Sequence, residues 1–192
     1  MPLILASASP RRSELLRNAG IAFTVAPAHV PEQAYPNEQP LLYAQRLARD
    51  KARAIFVRHP DSVVLGADTI VVADEHLLEK PCDEQDAARM LQLLSGRVHQ
   101  VITGVCLSAA ALEQTEAEIT EVRFSPLTES EIAAYIATRE PMDKAGAYAI
   151  QGMASRWVER IEGCYFNVVG LPVPRVFRMM QALEAATGIR IL

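Results

Sequence analysis

Val63-Val64-Leu65-Gly66-Ala67-Asp68-Thr69-Ile70-Val71-Val72-Ala73 is apolar almost throughout, with a carboxylate and a hydroxyl set into its middle. A continuous apolar run rich in β-branched residues predicts a strand buried on both faces, the centre of a sheet. Working outward, short apolar segments at residues 3–6, 21–25 and 157–161 predict further strands. Segments 98–107 and 118–124 predict strands of the alternating kind. Ser9-Pro10 reads as a helix N-cap followed by proline at the first helical position, with Gly20 where that helix stops. Apolar period predicts a helix over 41–57; Asp83 caps another over 83–94, closed by Gly96. Thr128-Glu129-Ser130-Glu131 is a capping box opening a helix to Ala137, and a last helix over 172–187 ends at Gly188. Helices and strands do not alternate strictly. The expectation is therefore one α/β domain, residues 1–192, with a mixed twisted sheet flanked by helices. The proline-rich stretch 27–40 reads as a long functional loop.

The chain has 192 residues, 50% hydrophobic and 22% charged, a balance that excludes a disordered protein. Nineteen basic against 23 acidic residues give a net charge of −4, which argues against a nucleic-acid polymer as partner. It leaves room for a small anionic ligand held by a few local cations. Three scattered cysteines without a Cys-x-x-Cys fit a reducing cytoplasm. The four histidines lack zinc-site spacing. Neither a signal peptide nor a membrane span is expected, and dinucleotide and P-loop glycine motifs are absent from the sequence.

Several residues stand out against this background. In Ser7-Ala8-Ser9-Pro10-Arg11-Arg12 two arginines fall in the first turn of a helix, the wrong sign for its dipole. A bound phosphate would offset the mismatch; a solvated pair covering the helix start is the other reading. Lys51 lies in the apolar stripe Ala44, Leu47, Ala48, Ala54, Ile55, away from Arg46, Arg49 and Arg53. It needs a partner anion, or it snorkels. On such a stripe methionine packs as well, so Lys51→Met is expected to hold the fold and lose activity. Asp68 within a buried strand is either a base or metal ligand at a cleft, or a structural acceptor. Lys80 in Glu79-Lys80-Pro81 is a weak signal. Gly146-Ala147-Tyr148-Ala149-Ile150-Gln151-Gly152 reads as a glycine-bounded strand whose Gln151 meets either a base edge or backbone.

Together these pieces resemble the Maf family of nucleoside triphosphate pyrophosphatases. Arg46-Leu47-Ala48 with Lys51-Ala52, Ser95-Gly96 with Thr103-Gly104, Asp143-Lys144-Ala145-Gly146 and Val168-Val169-Gly170-Leu171-Pro172 extend the resemblance over nearly the whole chain. It implies an inosine-triphosphatase-like fold with an active-site cleft. It also implies cleavage of a nucleoside triphosphate between the α and β phosphates, with a divalent cation, Mg²⁺ or Mn²⁺, as cofactor. By motif, Asp68 resembles the catalytic base. Ser7, Arg11, Arg12, Lys51 and Lys80 resemble phosphate-binding residues, and Glu32 joins Asp68 as a metal carboxylate. Arg12, Thr69 and Gln151 resemble the branch acting on dTTP and UTP. One departure is visible: His29-Val30-Pro31-Glu32 lacks two acidic neighbours that the family often carries before its glutamate. A 7-methyl-GTP pyrophosphatase and a nucleotide-sensing regulator of septum formation are the competing readings, and a homodimer is left open.

Overall fold

The computed structural model describes residues 1–191. In chain order it contains β1 (Leu3–Leu5), α1 (Pro10–Asn18), β2 (Thr24–Val25), α2 (Pro40–Phe56), β3 (Val63–Ala73), β4 (His76–Leu78) and α3 (Glu84–Leu94). There follow β5 (Val98–Ala109), β6 (Leu112–Phe124), α4 (Glu129–Ala137), β7 (Val158–Glu162), α5 (Tyr165–Val169) and α6 (Val173–Thr187). Three 3-10 turns, Glu140–Asp143, Ala145–Ala147 and Met153–Trp157, lie between α4 and β7. The strands join in the order β2-β1-β3-β5-β6-β7, with β4 paired to β3. β1 is parallel to β2 and β3, whereas β3–β4 and β6–β7 are antiparallel. The sheet is therefore mixed, as expected.

The chain forms two compact units. The first takes Met1–Asp68, Thr103–Glu118 and the segment from Gly170 onward. Its packing follows from small residues. Ala44, Ala48 and Ala52 recur at i+4 along the buried face of α2. Opposite them stand two glycines. A Cβ on Gly66 would lie 2.1 Å from the Ala48 carbonyl oxygen, and one on Gly104 would lie 2.2 Å from that of Ala44. The helix backbone thus rests directly on β3 and β5. Ile4, Ala6, Ile55, Val64 and Cys106 close the core around this contact. Gly66→Ala is expected to cost about 1–3 kcal/mol by overpacking, a Tm lowered by roughly 2–12 °C. A thermal melt checks this; an unchanged Tm would mean α2 can lift without penalty.

The second unit takes Thr69–Ile102 and Ile119–Val169. Its core is aromatic. His99, Phe124 and Tyr148 meet edge-to-face with centroids 4.8–5.3 Å apart, and Trp157 packs on Tyr135 at 5.2 Å. His99 Nε2 is 2.8 Å from the Tyr148 hydroxyl, while its buried Nδ1 has no partner. Burial pulls the imidazole pKa down to about 4. The unfolded chain then binds the extra proton first. Stability from this group is full above pH 6.5 and is lost as pH falls through 4, by about 3 kcal/mol. Urea unfolding at pH 7.5 and 4.5 should show a smaller acid loss in His99→Gln than in the wild type. Equal losses would remove His99 as a source of acid sensitivity.

Most predicted elements stand within two residues of their expected bounds, and the exceptions are instructive. Residues 146–151 are no strand: Gly146 and Ala147 have φ of +67° and +56° and form a 3-10 turn. Strand β5 is buried nearly throughout instead of alternating, and β6 starts at Leu112, six residues before the expected position. Ser9 stands at the α1 N-cap, but its hydroxyl makes no capping bond. Asp83 caps α3 through the Asp86 N–H, and the Thr128/Glu131 capping box is complete.

Candidate active site

In the first unit the approach of α2 to β3 decides where charge meets charge. Gly66 and Asp68 are two residues apart on a strand and therefore share a face. Ala48 and Ala52 pack on Gly66, so Lys51 of the same helix arrives beside Asp68. Lys51 Nζ lies 2.6 Å from Asp68 Oδ1 and 2.5 Å from Glu32 Oε1. Lys51 and Asp68 are buried, while Glu32 on the 27–40 loop is 41% exposed. The ammonium is thus neither snorkelling nor unpaired; it bridges two carboxylates, one buried and one open to water.

Arg12 completes the group from α1. Its Nε donates to the Gly170 carbonyl at 2.8 Å, and its Nη1 donates to the Ala67 carbonyl at 2.8 Å and to Ser7 Oγ at 3.1 Å. The guanidinium is buried, so it ties the end of β1, the middle of β3 and the residue preceding Leu171 into one corner. Burial pulls its pKa below the usual value, Asp68 pulls it back up, and neighbouring Arg11 works with burial. Ser7 Oγ also accepts the Ser9 N–H at 3.2 Å. The Ser7–Arg12 turn is therefore fixed by Ser7 and Arg12 themselves. Arg11 is half-buried in the first turn of α1.

Asp68 sits in opposing influences. Burial lifts its pKa above the ordinary carboxylate value, the charges of Lys51 and Arg12 pull it down, and the net shift is upward. An aspartate held this way is a stronger proton acceptor than one in water. Glu32 and Asp68 offer hard oxygen donors, the chemistry that Mg²⁺ and Mn²⁺ prefer. Among the described residues no cluster of three or more His, Cys, Asp or Glu side chains suits a metal. Two carboxylates are the usual protein share of a Mg²⁺ that is also held by substrate phosphates.

The remaining predicted residues, Thr69, Lys80 and Gln151, belong to the second unit. Thr69 is half-buried in β3; Lys80 and Gln151 are exposed. The Gly146 N–H donates to the Glu79 carbonyl at 3.1 Å, which joins the loop carrying Lys80 to the turn preceding Gln151. Gln151 stands on a clamped segment. The Tyr135 hydroxyl accepts the Ala149 N–H at 3.1 Å and donates to Glu140 Oε1 at 2.9 Å, and that oxygen accepts the Met153 N–H at 3.1 Å. Glu140 and Tyr135 escaped sequence reasoning because neither breaks the pattern of its own element. An open depression of about 560 Å³ also lies in this unit, lined by Cys82, Asp83, Glu84, Gln85, Arg139 and Met142. It contains none of the predicted site residues. Desolvation and the carboxylates of Asp83 and Asp86 push the Cys82 thiol up, so it is no activated nucleophile.

Known proteins share this chain's sequence over almost its full length. A dTTP/UTP pyrophosphatase of Koribacter versatilis is 64% identical over 181 residues, 94% of either chain. Proteins of the same name from Symbiobacterium thermophilum and Syntrophomonas wolfei are 53% and 51% identical. These alignments cover 93% and 98% of this chain, and 92% and 98% of the relatives. The family described as Maf-like protein matches residues 2–183. With the lysine-bridged carboxylates and the buried arginine on its own motifs, this chain belongs to the Maf family.

Proposed function

We propose that this protein hydrolyses dTTP and UTP to the nucleoside monophosphate and pyrophosphate, with residues 1–192 acting as one catalytic domain. The observation that carries the reading is Lys51 held between Glu32 and Asp68 beside buried Arg12. These four charges cancel: two carboxylates against two cations. A triphosphate brings several more negative charges, so it requires further cations. Arg11 and Lys80 would supply two, by resemblance, and Glu32 and Asp68 would hold a divalent ion that supplies the rest. Mg²⁺ or Mn²⁺ neutralises charge on phosphate oxygens when bound.

The chain's own residues do the remainder. Asp68 orients the attacking water and accepts its proton, a role suited to its raised basicity. Lys51 exchanges a carboxylate partner for a phosphate oxygen, bringing a desolvated ammonium to developing charge. Arg12 and Ser7 hold the turn from which α1 presents its N-terminus to an anion. Three free cysteines suit a cytoplasmic enzyme. No helix among the described residues is long and apolar enough to cross a membrane.

We assign base choice to Gln151; a supporting part for Arg12 and Thr69 is what the resemblance alone implies. An amide carries both a donor and an acceptor and meets the imide edge common to uracil and thymine. Cytosine presents a donor where those bases present a carbonyl, leaving a group unpaired at roughly 1–3 kcal/mol. The experiment is kcat/KM for dTTP, UTP, CTP and 7-methyl-GTP with Mg²⁺, on the wild type and on Gln151→Glu. The wild type should favour dTTP and UTP over CTP by about one to two decades, and the variant should erode that preference. Equal values for all four on the wild type would refute the substrate assignment. An unchanged ranking in the variant would remove Gln151 from base reading.

A further inference from the structure

Glu32 reaches Lys51 from a loop with no secondary structure of its own, so something must hold it there. That loop spans residues 27–39 and includes Pro27, Pro31 and Pro36. Its strongest tether is Arg46 of α2. Arg46 Nε and Nη2 each donate to the Glu38 carboxylate at 2.7 Å, a bidentate fork, and Nη2 also donates to the Gln33 carbonyl at 2.9 Å. The guanidinium lies 4.0 Å from the centroid of the Tyr35 ring, and Asp50 lies 3.5 Å from its Nη1. Only 13% of the Arg46 side chain and 10% of that of Glu38 are exposed. Glu38 in turn accepts the Tyr35 N–H at 2.9 Å. One side chain therefore grips the loop at residues 33, 35 and 38. The first of these is the residue that immediately follows Glu32, held through its carbonyl.

We propose that Arg46 is a positioning residue for the reaction: it fixes the 33–38 segment so that the Glu32 carboxylate stays on Lys51 beside Asp68. Three features set this apart from an ordinary surface ion pair. The fork is nearly buried. A lysine could reproduce neither the bidentate contact nor the stacking on Tyr35. The bond to the Gln33 carbonyl acts on the backbone that aims Glu32. The inference rests on the proposed role of Glu32 and gives Arg46 no contact with substrate.

A double-mutant cycle tests it, with Arg46→Gln, Glu32→Gln and the double variant. Each protein is measured for dTTP kcat/KM and, without nucleotide, for Mn²⁺ affinity by electron paramagnetic resonance. Arg46→Gln alone should lose roughly 30- to 100-fold in kcat/KM, the scale of a misplaced functional group, and should bind Mn²⁺ more weakly. In the Glu32→Gln background the same change should cost no more than about threefold on either readout, because its target is already gone. Should Arg46→Gln fail to fold, Glu38→Gln opens the same clamp from the loop side and should show the same non-additivity. Losses that multiply in the double variant, or an Arg46→Gln enzyme within twofold of the wild type, would overturn the proposal. A wild type that binds Mn²⁺ but does not turn over dTTP would sink the proposed function alone, and the cycle would be read on Mn²⁺. One that does neither would sink both.

Discussion

Asp68→Asn is expected to keep the fold and to lower kcat for dTTP by at least about two decades. The substitution is nearly isosteric. The amide oxygen can still accept the Lys51 ammonium, which now approaches Oδ1 at 2.6 Å, and Lys51 keeps Glu32 as its second partner. An amide cannot take a proton from water. Burial makes the carboxylate a better base than a solvated one, so the change removes the proton acceptor that the proposed mechanism requires. Pyrophosphate release and a thermal melt on the same preparation check it. Turnover within a few fold of the wild type would take Asp68 out of the mechanism.

Lys51→Met is expected to cost about two decades in kcat/KM, through loss of a desolvated cation at the developing charge. The effect on stability differs from what the apolar stripe of α2 predicts. Methionine fills the space that the lysine stem leaves. It also leaves Asp68 buried without its nearest cation, a change that typically costs about 3–5 kcal/mol. The carboxyl can escape that penalty by holding a proton, so its folded pKa rises further above the unfolded value. The penalty is therefore small in acid and grows as pH rises through the folded pKa. Thermal melts of the variant should be close to the wild type near pH 5 and clearly lower near pH 8. A variant equally stable at both would mean that Asp68 keeps its charge by other contacts.

How much of this was legible beforehand depended on whether the signal was local. The buried run Val63–Ala73 matched its strand to the residue, because a continuous apolar segment has few other uses. The α3 and α4 starts were legible because Asp83, Thr128 and Glu131 act on amides three residues away. Residues 146–151 misled because small apolar residues suit a strand and a turn alike. Long-range contacts decide the matter there: Gly146 lies against Val71, where an added Cβ would come within 2.9 Å. Strand β4, three residues long and directly after the left-handed pair Asp74 and Glu75, gives no periodic signal. In the site, Lys51 and Asp68 stood out as charges in apolar surroundings. That Glu32 would join Asp68 came from resemblance alone, since no local pattern in residues 27–40 signals the contacts that fix the loop's path. Arg46 looked like one of several arginines on the polar face of α2, because its partners Gln33, Tyr35 and Glu38 lie on that loop.

The lysine-bridged carboxylates are proposed to serve cleavage between the α and β phosphates of a pyrimidine triphosphate. Phosphorus NMR of dTTP incubated with the protein and Mg²⁺ tests it most directly. The triphosphate resonances should give way to dTMP and pyrophosphate in equal amounts. Appearance of dTDP with orthophosphate, or persistence of dTTP at enzyme concentrations that bind it, would contradict it.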